Sequence, residues 1–159
     1  MATVSWAQET PVADVAGGYS LLYVVKGFTL AMNGGSSSMA VNANDWLGVV
    51  GDFGAYRGSA ASLTVETYTA GPRFSYRKKG RFVPFAQALL GGSHASMVSG
   101  FTGLNSFVFG GGAGADIGLG RAGRFAVRPQ LEYLGFRASG ITTNSTRFTL
   151  GLVFHFRGK

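Results

Sequence analysis

The final stretch of the chain most restricts what it can fold into. Residues 145–156 read S-T-R-F-T-L-G-L-V-F-H-F. From Phe148 onward every second residue is large and apolar: Phe148, Leu150, Leu152, Phe154 and Phe156. Between them stand Thr149, Gly151, Val153 and His155, with Arg147 just before. A strand sends successive side chains to opposite faces, so this segment has one apolar face and one mixed face. Which of the two meets water separates a soluble barrel from a membrane barrel.

The same period-two alternation, bounded by turn formers, recurs along the chain. It predicts eight strands, at 14–25, 35–43, 46–56, 63–77, 82–94, 106–119, 125–137 and 145–156. The connections at 42–45, 77–81 and 120–124 are short and carry turn residues, whereas those at 26–34, 57–62, 95–105 and 137–144 are longer and rich in Gly, Ser and Thr. Short turns at one end and longer loops at the other predict an up-and-down meander with an even strand count, the pattern of outer-membrane barrels. On that pattern the N-terminus and the turns are periplasmic and the loops extracellular. No stretch approaches the roughly 20 consecutive apolar residues of a membrane helix. The 159 residues read as one barrel domain over 14–159, preceded by a flexible segment at 1–13. Within that segment, Ser5-Trp6-Ala7 before Gln8-Glu9 resembles the small-x-small end of an export signal, and an ordinary flexible terminus explains residues 1–7 equally well.

Sorting each strand by parity gives two coherent sets. One is apolar: it includes Val15, Leu21, Met39, Val49, Phe53, Phe74, Leu90, Phe107, Ile117, Phe125, Leu131 and the closing Phe/Leu row. Tyr19, Tyr23, Tyr68, Tyr76 and Tyr133 share this parity and form a candidate aromatic girdle. The other set holds the acids Asp14, Asp52, Asp116 and Glu132 with Arg73, Arg77, Arg128 and Arg147, alternating with glycines such as Gly91, Gly110, Gly112, Gly114 and Gly151. A Lys or Arg facing lipid near the midplane costs about 2–4 kcal/mol, so the charged set must face inward. Eight strands enclose a space only wide enough for side chains to fill. Buried charges persist only when paired. The expected fold is therefore an all-β transmembrane barrel with a filled polar lumen, glycines making room for four acids matched to four arginines. Phe148–Phe156 then face lipid in the closing strand.

The net charge of +7 does not point to nucleic acid. The bases are dispersed apart from Arg77-Lys78-Lys79-Gly80-Arg81, and there is no basic helix, zinc finger or RRM signature. Anionic lipid headgroups fit the same charge balance. Cysteine is absent, which removes disulfide and Cys-metal chemistry. Gly110-Gly-Gly-Ala-Gly-Ala115 formally fits G-x-G-x-x-A, but a dinucleotide site needs the motif between a strand and a helix. His94 and His155 have opposite parity and no ligand cluster, so neither a metal nor a cofactor is expected. His94 beside Ser93 and Ser96 is the one arrangement that suggests a hydrolase, and no orienting acid lies near it in sequence.

Gly71-Pro-Arg-Phe-Ser-Tyr76, Pro84-Phe-Ala86 followed by Leu-Leu-Gly-Gly92, Gly110-Gly-Gly before Asp116, and Gly151-Leu-Val-Phe-His-Phe156 resemble the OmpA/OmpX-type eight-stranded outer-membrane β-barrel family over roughly 14–156. The resemblance implies a bacterial outer-membrane location, contact with outer-membrane lipid and lipopolysaccharide, and insertion by the barrel-assembly machinery, which reads an aromatic-rich last strand. Here the last aromatic is followed by Arg157-Gly158-Lys159. The expected protein is a monomeric, non-enzymatic barrel that contributes to envelope integrity without a wide pore. The alternatives are a surface-binding or adhesion barrel using its loops, chiefly 95–105, and a lipid-modifying enzyme using His94.

Overall fold

The computed structural model describes residues 10–25, 29–58, 62–78, 80–97 and 103–158. Eight antiparallel strands follow one another around a closed barrel: β1 (Ala13–Val25), β2 (Thr29–Asn42), β3 (Leu47–Gly58), β4 (Leu63–Ser75), β5 (Phe82–Met97), β6 (Leu104–Leu119), β7 (Phe125–Ala138) and β8 (Ile141–Phe156). The last strand closes on the first through thirteen register pairs from Ala13↔Phe156 to Val25↔Asn144. Closure leaves no free edge, so every ladder group has a partner strand.

Stepping across hydrogen-bonded partners measures the stagger. Val15 leads to Met39, Gly51, Ala70, Leu90, Phe109, Gly135 and Asn144, and the last of these pairs with Val25. One circuit thus returns to β1 ten residues farther on, which tilts the strands by about 40°.

The expected strands are all present, but several extend farther than the alternation suggests. The segments at 26–34 and 137–144, expected as loops, are largely strand. Thr29–Gly34 pairs with Ser20–Val25, and Ile141–Asn144 pairs with Gly135–Ala138. The β7–β8 connection is only Ser139-Gly140, both at positive φ (49° and 82°). That is the signature of a type I′ turn, whose twist matches the flanking strands and lets pairing run to its edge. The expected contrast between short turns and long loops is therefore not seen in the number of residues between strands, which is no greater at one end than at the other. The Gly/Ser/Thr-rich segments lengthen the barrel wall at one end, called the loop end below. The opposite, turn end carries Ala13 and Phe156.

Prolines explain where the ladders break. Pairing between β4 and β5 skips from Ala70↔Leu90 to Arg73↔Gln87, around Pro72. Pairing between β6 and β7 skips from Gly114↔Gln130 to Ile117↔Val127, around Pro129. Each proline lacks the N–H its neighbour would accept.

The wall sorts as the parity analysis expects. Its outside is apolar, with Leu152 62% and Leu150 51% exposed. Tyr19, Tyr23, Tyr68, Tyr76 and Tyr133 all stand outward and exposed. Tyr76 sits at the turn end with Trp46, which stacks on Phe74 at 6.1 Å. Phe125, Phe154 and Phe156 continue that belt edge to face.

Inside, the lumen is filled as expected, and apolar side chains share the filling with the polar ones. Leu22, Met32, Ala40, Val50, Tyr56, Val65, Leu89, Val108 and Leu134 form one buried cluster, with Val24, Leu30, Leu63, Ala95 and Phe136 packed against it. These residues have inward parity: Ala40 and Val50 follow Asp14 in register on the turn-end side, and the others fill the lumen from its middle to the loop end.

Candidate functional site

The principal constellation is a chain of buried polar groups through the middle of the lumen. Asp14 of β1 lies at its turn-end side. Its Oδ1 accepts from Arg128 Nη2 at 3.0 Å and Arg73 Nη1 at 3.3 Å. Arg128 also donates from Nε and Nη2 to the two oxygens of Asp116, at 2.5 and 2.7 Å, a bidentate fork. The two guanidiniums lie over the ring of Phe85, with Cζ 4.6 Å and 5.0 Å from its centroid. Two like charges are thus held close by one shared carboxylate and one aromatic face.

Gln87 links this group to a second one. Arg73 Nε donates to Gln87 Oε1 at 2.9 Å, and Gln87 Nε2 donates to Glu132 Oε1 at 2.7 Å. The other Glu132 oxygen pairs with Arg147. Arg147 Nη1 donates to Asp52 Oδ1 at 2.7 Å and to Tyr56 Oη at 2.8 Å. Arg147 is 0% and Arg73 2% exposed. Ser20 adds a small hydroxyl relay at the wall, 2.7 Å from Ser36 Oγ and 2.8 Å from Thr149 Oγ1.

Glycines give this network its room. A Cβ on Gly114 would stand 2.7 Å from Phe85 Cζ, and one on Gly112 would collide with Glu132 Cγ. No side chain larger than hydrogen fits at either position without displacing a network member.

Seven of the eight charged residues expected in the lumen meet there: Asp14, Asp52, Asp116, Glu132, Arg73, Arg128 and Arg147. Arg77 does not. It lies past the end of β4 and donates to Asp45 O at 2.8 Å and Asn42 Oδ1 at 3.1 Å at the turn-end rim. Partial burial lowers its pKa from the ordinary arginine value, opposed by the fields of Asp14, Asp116 and Asp45. The expected match of four acids to four arginines is therefore four to three. The ring of His155 approaches the uneven end, its Nε2 3.9 Å from Asp116 Oδ2. Tyr56, Phe85 and Gln87 complete the network and were not among the expected site residues. All three have inward parity, and that was their only signal in the sequence.

His94 is placed on the outer wall. Its Nδ1 is 2.7 Å from Asn105 Oδ1, and its register partners are Glu66 and Asn105. Ser93 is buried on the opposite face of the same strand, so a Ser93–His94 pair is geometrically excluded. Glu66 lies two residues beyond Tyr68 toward the loop end. Gly110–Ala115 lies within β6, which is followed by a turn and not a helix. Much of the 95–105 loop falls outside the described residues, as do residues 1–9. No group of three or more His, Asp or Glu suited to a metal ion occurs among the described residues.

No protein-family model matches the sequence, and no curated protein matches it. Solved structures do match in fold. The neisserial surface protein A (NspA) superposes with TM-score 0.77 at 14% identity, covering 91% of this chain and 97% of that one. Ail, the attachment invasion locus protein of Yersinia pestis, gives TM-score 0.63 at 19% identity over 91% and 97% of the two chains. The outer-membrane protein OprG of Pseudomonas aeruginosa gives 0.60 at 12% identity over 95% and 99%. Together with the closed meander and its apolar exterior, these likenesses identify the fold as that of the OmpA/OmpX-like eight-stranded outer-membrane β-barrels.

Proposed function

We propose that this chain is an integral bacterial outer-membrane protein that strengthens the envelope as a sealed barrel, without a wide pore and without catalysis. The observation that carries this reading is the filled lumen. Between the apolar cluster at the loop end and Asp116 at the turn end, buried side chains occupy the interior in a continuous hydrogen-bonded chain. A water-filled channel would instead line its walls with solvated groups. The exposed apolar exterior requires a hydrocarbon solvent, since so large an apolar patch is not tolerated in water by a monomer. The turn end, with both termini of the barrel, then faces the periplasm, and the loop end contacts lipopolysaccharide. The Phe/Leu row of β8 serves the barrel-assembly machinery, and the product is a monomer. Reconstitution into planar bilayers tests the seal. No steady conductance is expected; large, stable channels would refute it.

A second reading, surface binding or adhesion, draws on the likeness to Ail, whose name describes attachment and invasion. The loop end projects beyond Tyr68, where Arg57, Glu66, His94, Asn105 and Arg137 stand outward on the wall. Grafting short turns over the 95–105 loop tests it: unchanged binding of cells to a host-cell layer would remove the reading. The enzymatic alternative finds little support, because His94 is committed to Asn105 and separated from Ser93.

A further inference from the structure

Exposed charge is distributed unevenly along the barrel axis. At the turn end stand Arg77, Lys78, Arg81, Arg121, Arg124 and Arg157, all exposed except the half-buried Arg77. The only acid outside the lumen at that end, among the described residues, is Asp45. At the loop end the described residues offer Arg57 and Arg137 against Glu66. Much of the net charge of +7 is therefore concentrated at one rim.

The backbone spreads these bases around the circumference. Arg77, Lys78 and Arg81 lie between β4 and β5, Arg121 and Arg124 between β6 and β7, and Arg157 just after β8. Backbone bonds fix two of the positions: Gly118 N donates to Arg81 O at 2.7 Å, and His155 N donates to Arg124 O at 2.8 Å. Directly beneath lies the aromatic belt of Trp46, Phe74, Tyr76, Phe82, Phe125 and Phe156, each exposed. Lys78 Nζ is 5.2 Å from the Tyr76 ring centroid, so the two layers touch. Aromatic rings seat at the headgroup level of a bilayer, and bases just beyond them reach the phosphates.

We propose that this rim is a lipid-selective collar that binds the anionic headgroups of phospholipids, such as phosphatidylglycerol, in the leaflet around the turn end. The inference rests on the membrane-barrel reading above and adds to it the lipid class and the binding residues. Selectivity follows from charge. A zwitterionic headgroup supplies the phosphate but cancels it, whereas an anionic one keeps a net charge for the collar to neutralise. The collar favours membrane positions where acidic lipid is concentrated and fixes the depth of the barrel through paired basic and aromatic layers.

Native mass spectrometry of the detergent-solubilised full chain, titrated with phosphatidylglycerol and with phosphatidylcholine of the same acyl chains, tests it. The anionic lipid should be retained preferentially. Replacing Lys78, Arg81, Arg121 and Arg124 with Gln should weaken that retention about tenfold or more and leave phosphatidylcholine unchanged. Arg57→Gln with Arg137→Gln, at the other end, should change neither. High salt should erase the preference of the unaltered chain, since exposed charges are screened, and this measurement needs no variant to fold. Equal retention of both lipids, or an undiminished preference in the collar variant, would overturn the proposal. Displacement of the bound lipid by sonicated peptidoglycan would overturn it too, by assigning the collar to an anionic polymer. Failure to fold into detergent as a heat-sensitive barrel would instead refute the membrane reading itself.

Discussion

Arg147 is enclosed by Glu132, Asp52 and Tyr56, with no exposed surface. A buried ion pair adds little net stability as a whole, but removing one partner leaves the others charged and unpaired. Arg147→Ala should therefore cost about 3–5 kcal/mol, measured by urea unfolding in lipid vesicles. A triple change of Arg147→Met, Glu132→Gln and Asp52→Asn should recover much of that loss. If the single and triple variants were equally unstable, charge pairing would not be what holds this site. Gly114→Val offers a steric counterpart, overpacking Phe85 at a cost of about 1–3 kcal/mol in the same assay. Parity alone placed Asp14, Asp52, Asp116, Glu132, Arg73, Arg128 and Arg147 in the lumen. It could not place Arg77 or recruit Tyr56, Phe85 and Gln87. Which inward residues meet depends on the ten-residue stagger, and a strand-by-strand pattern carries no record of that stagger.

At the scale of the element, β8 carries the clearest division of faces. Leu150 lies between the aromatic layers, whereas Phe156 lies at the turn-end rim beside Arg157. An arginine costs about 2–4 kcal/mol near the bilayer midplane and about 0–1 kcal/mol near the interface. Leu150→Arg should accordingly destabilise the vesicle-embedded barrel far more than Phe156→Arg. Equal penalties, or none, would mean that this row does not face lipid. The turn before β8 is equally specific. Gly140 holds φ of 82°, where a β-branched side chain is strained, so Gly140→Val should cost about 1–3 kcal/mol. The existence of each strand was legible in its alternation, and its extent was not. Thr29–Gly34 and Ile141–Asn144 are polar or small enough to read as loop, yet their pairing across the barrel makes them strand. The turn residues Ser139-Gly140 were the local sign that the β7–β8 hairpin could close tightly.

For the whole molecule, orientation of the wall follows from the balance of two costs. Turning the charged set outward into lipid is prohibitive near the midplane, and leaving so many large apolar side chains in water is unfavourable at about 25 cal/mol per Å² of exposed surface. Barrel closure was legible in the even strand count of an up-and-down meander. The apolar cap of Leu22, Met32, Tyr56, Val65, Leu89, Val108 and Leu134 was not, because the same parity carried charges elsewhere. Mobility of the detergent-folded chain on a denaturing gel, with and without boiling, tests the central claim most directly. A closed membrane barrel should resist the detergent and migrate differently before heating than after it. A single mobility before and after boiling, together with a soluble monomer in detergent-free buffer, would contradict it.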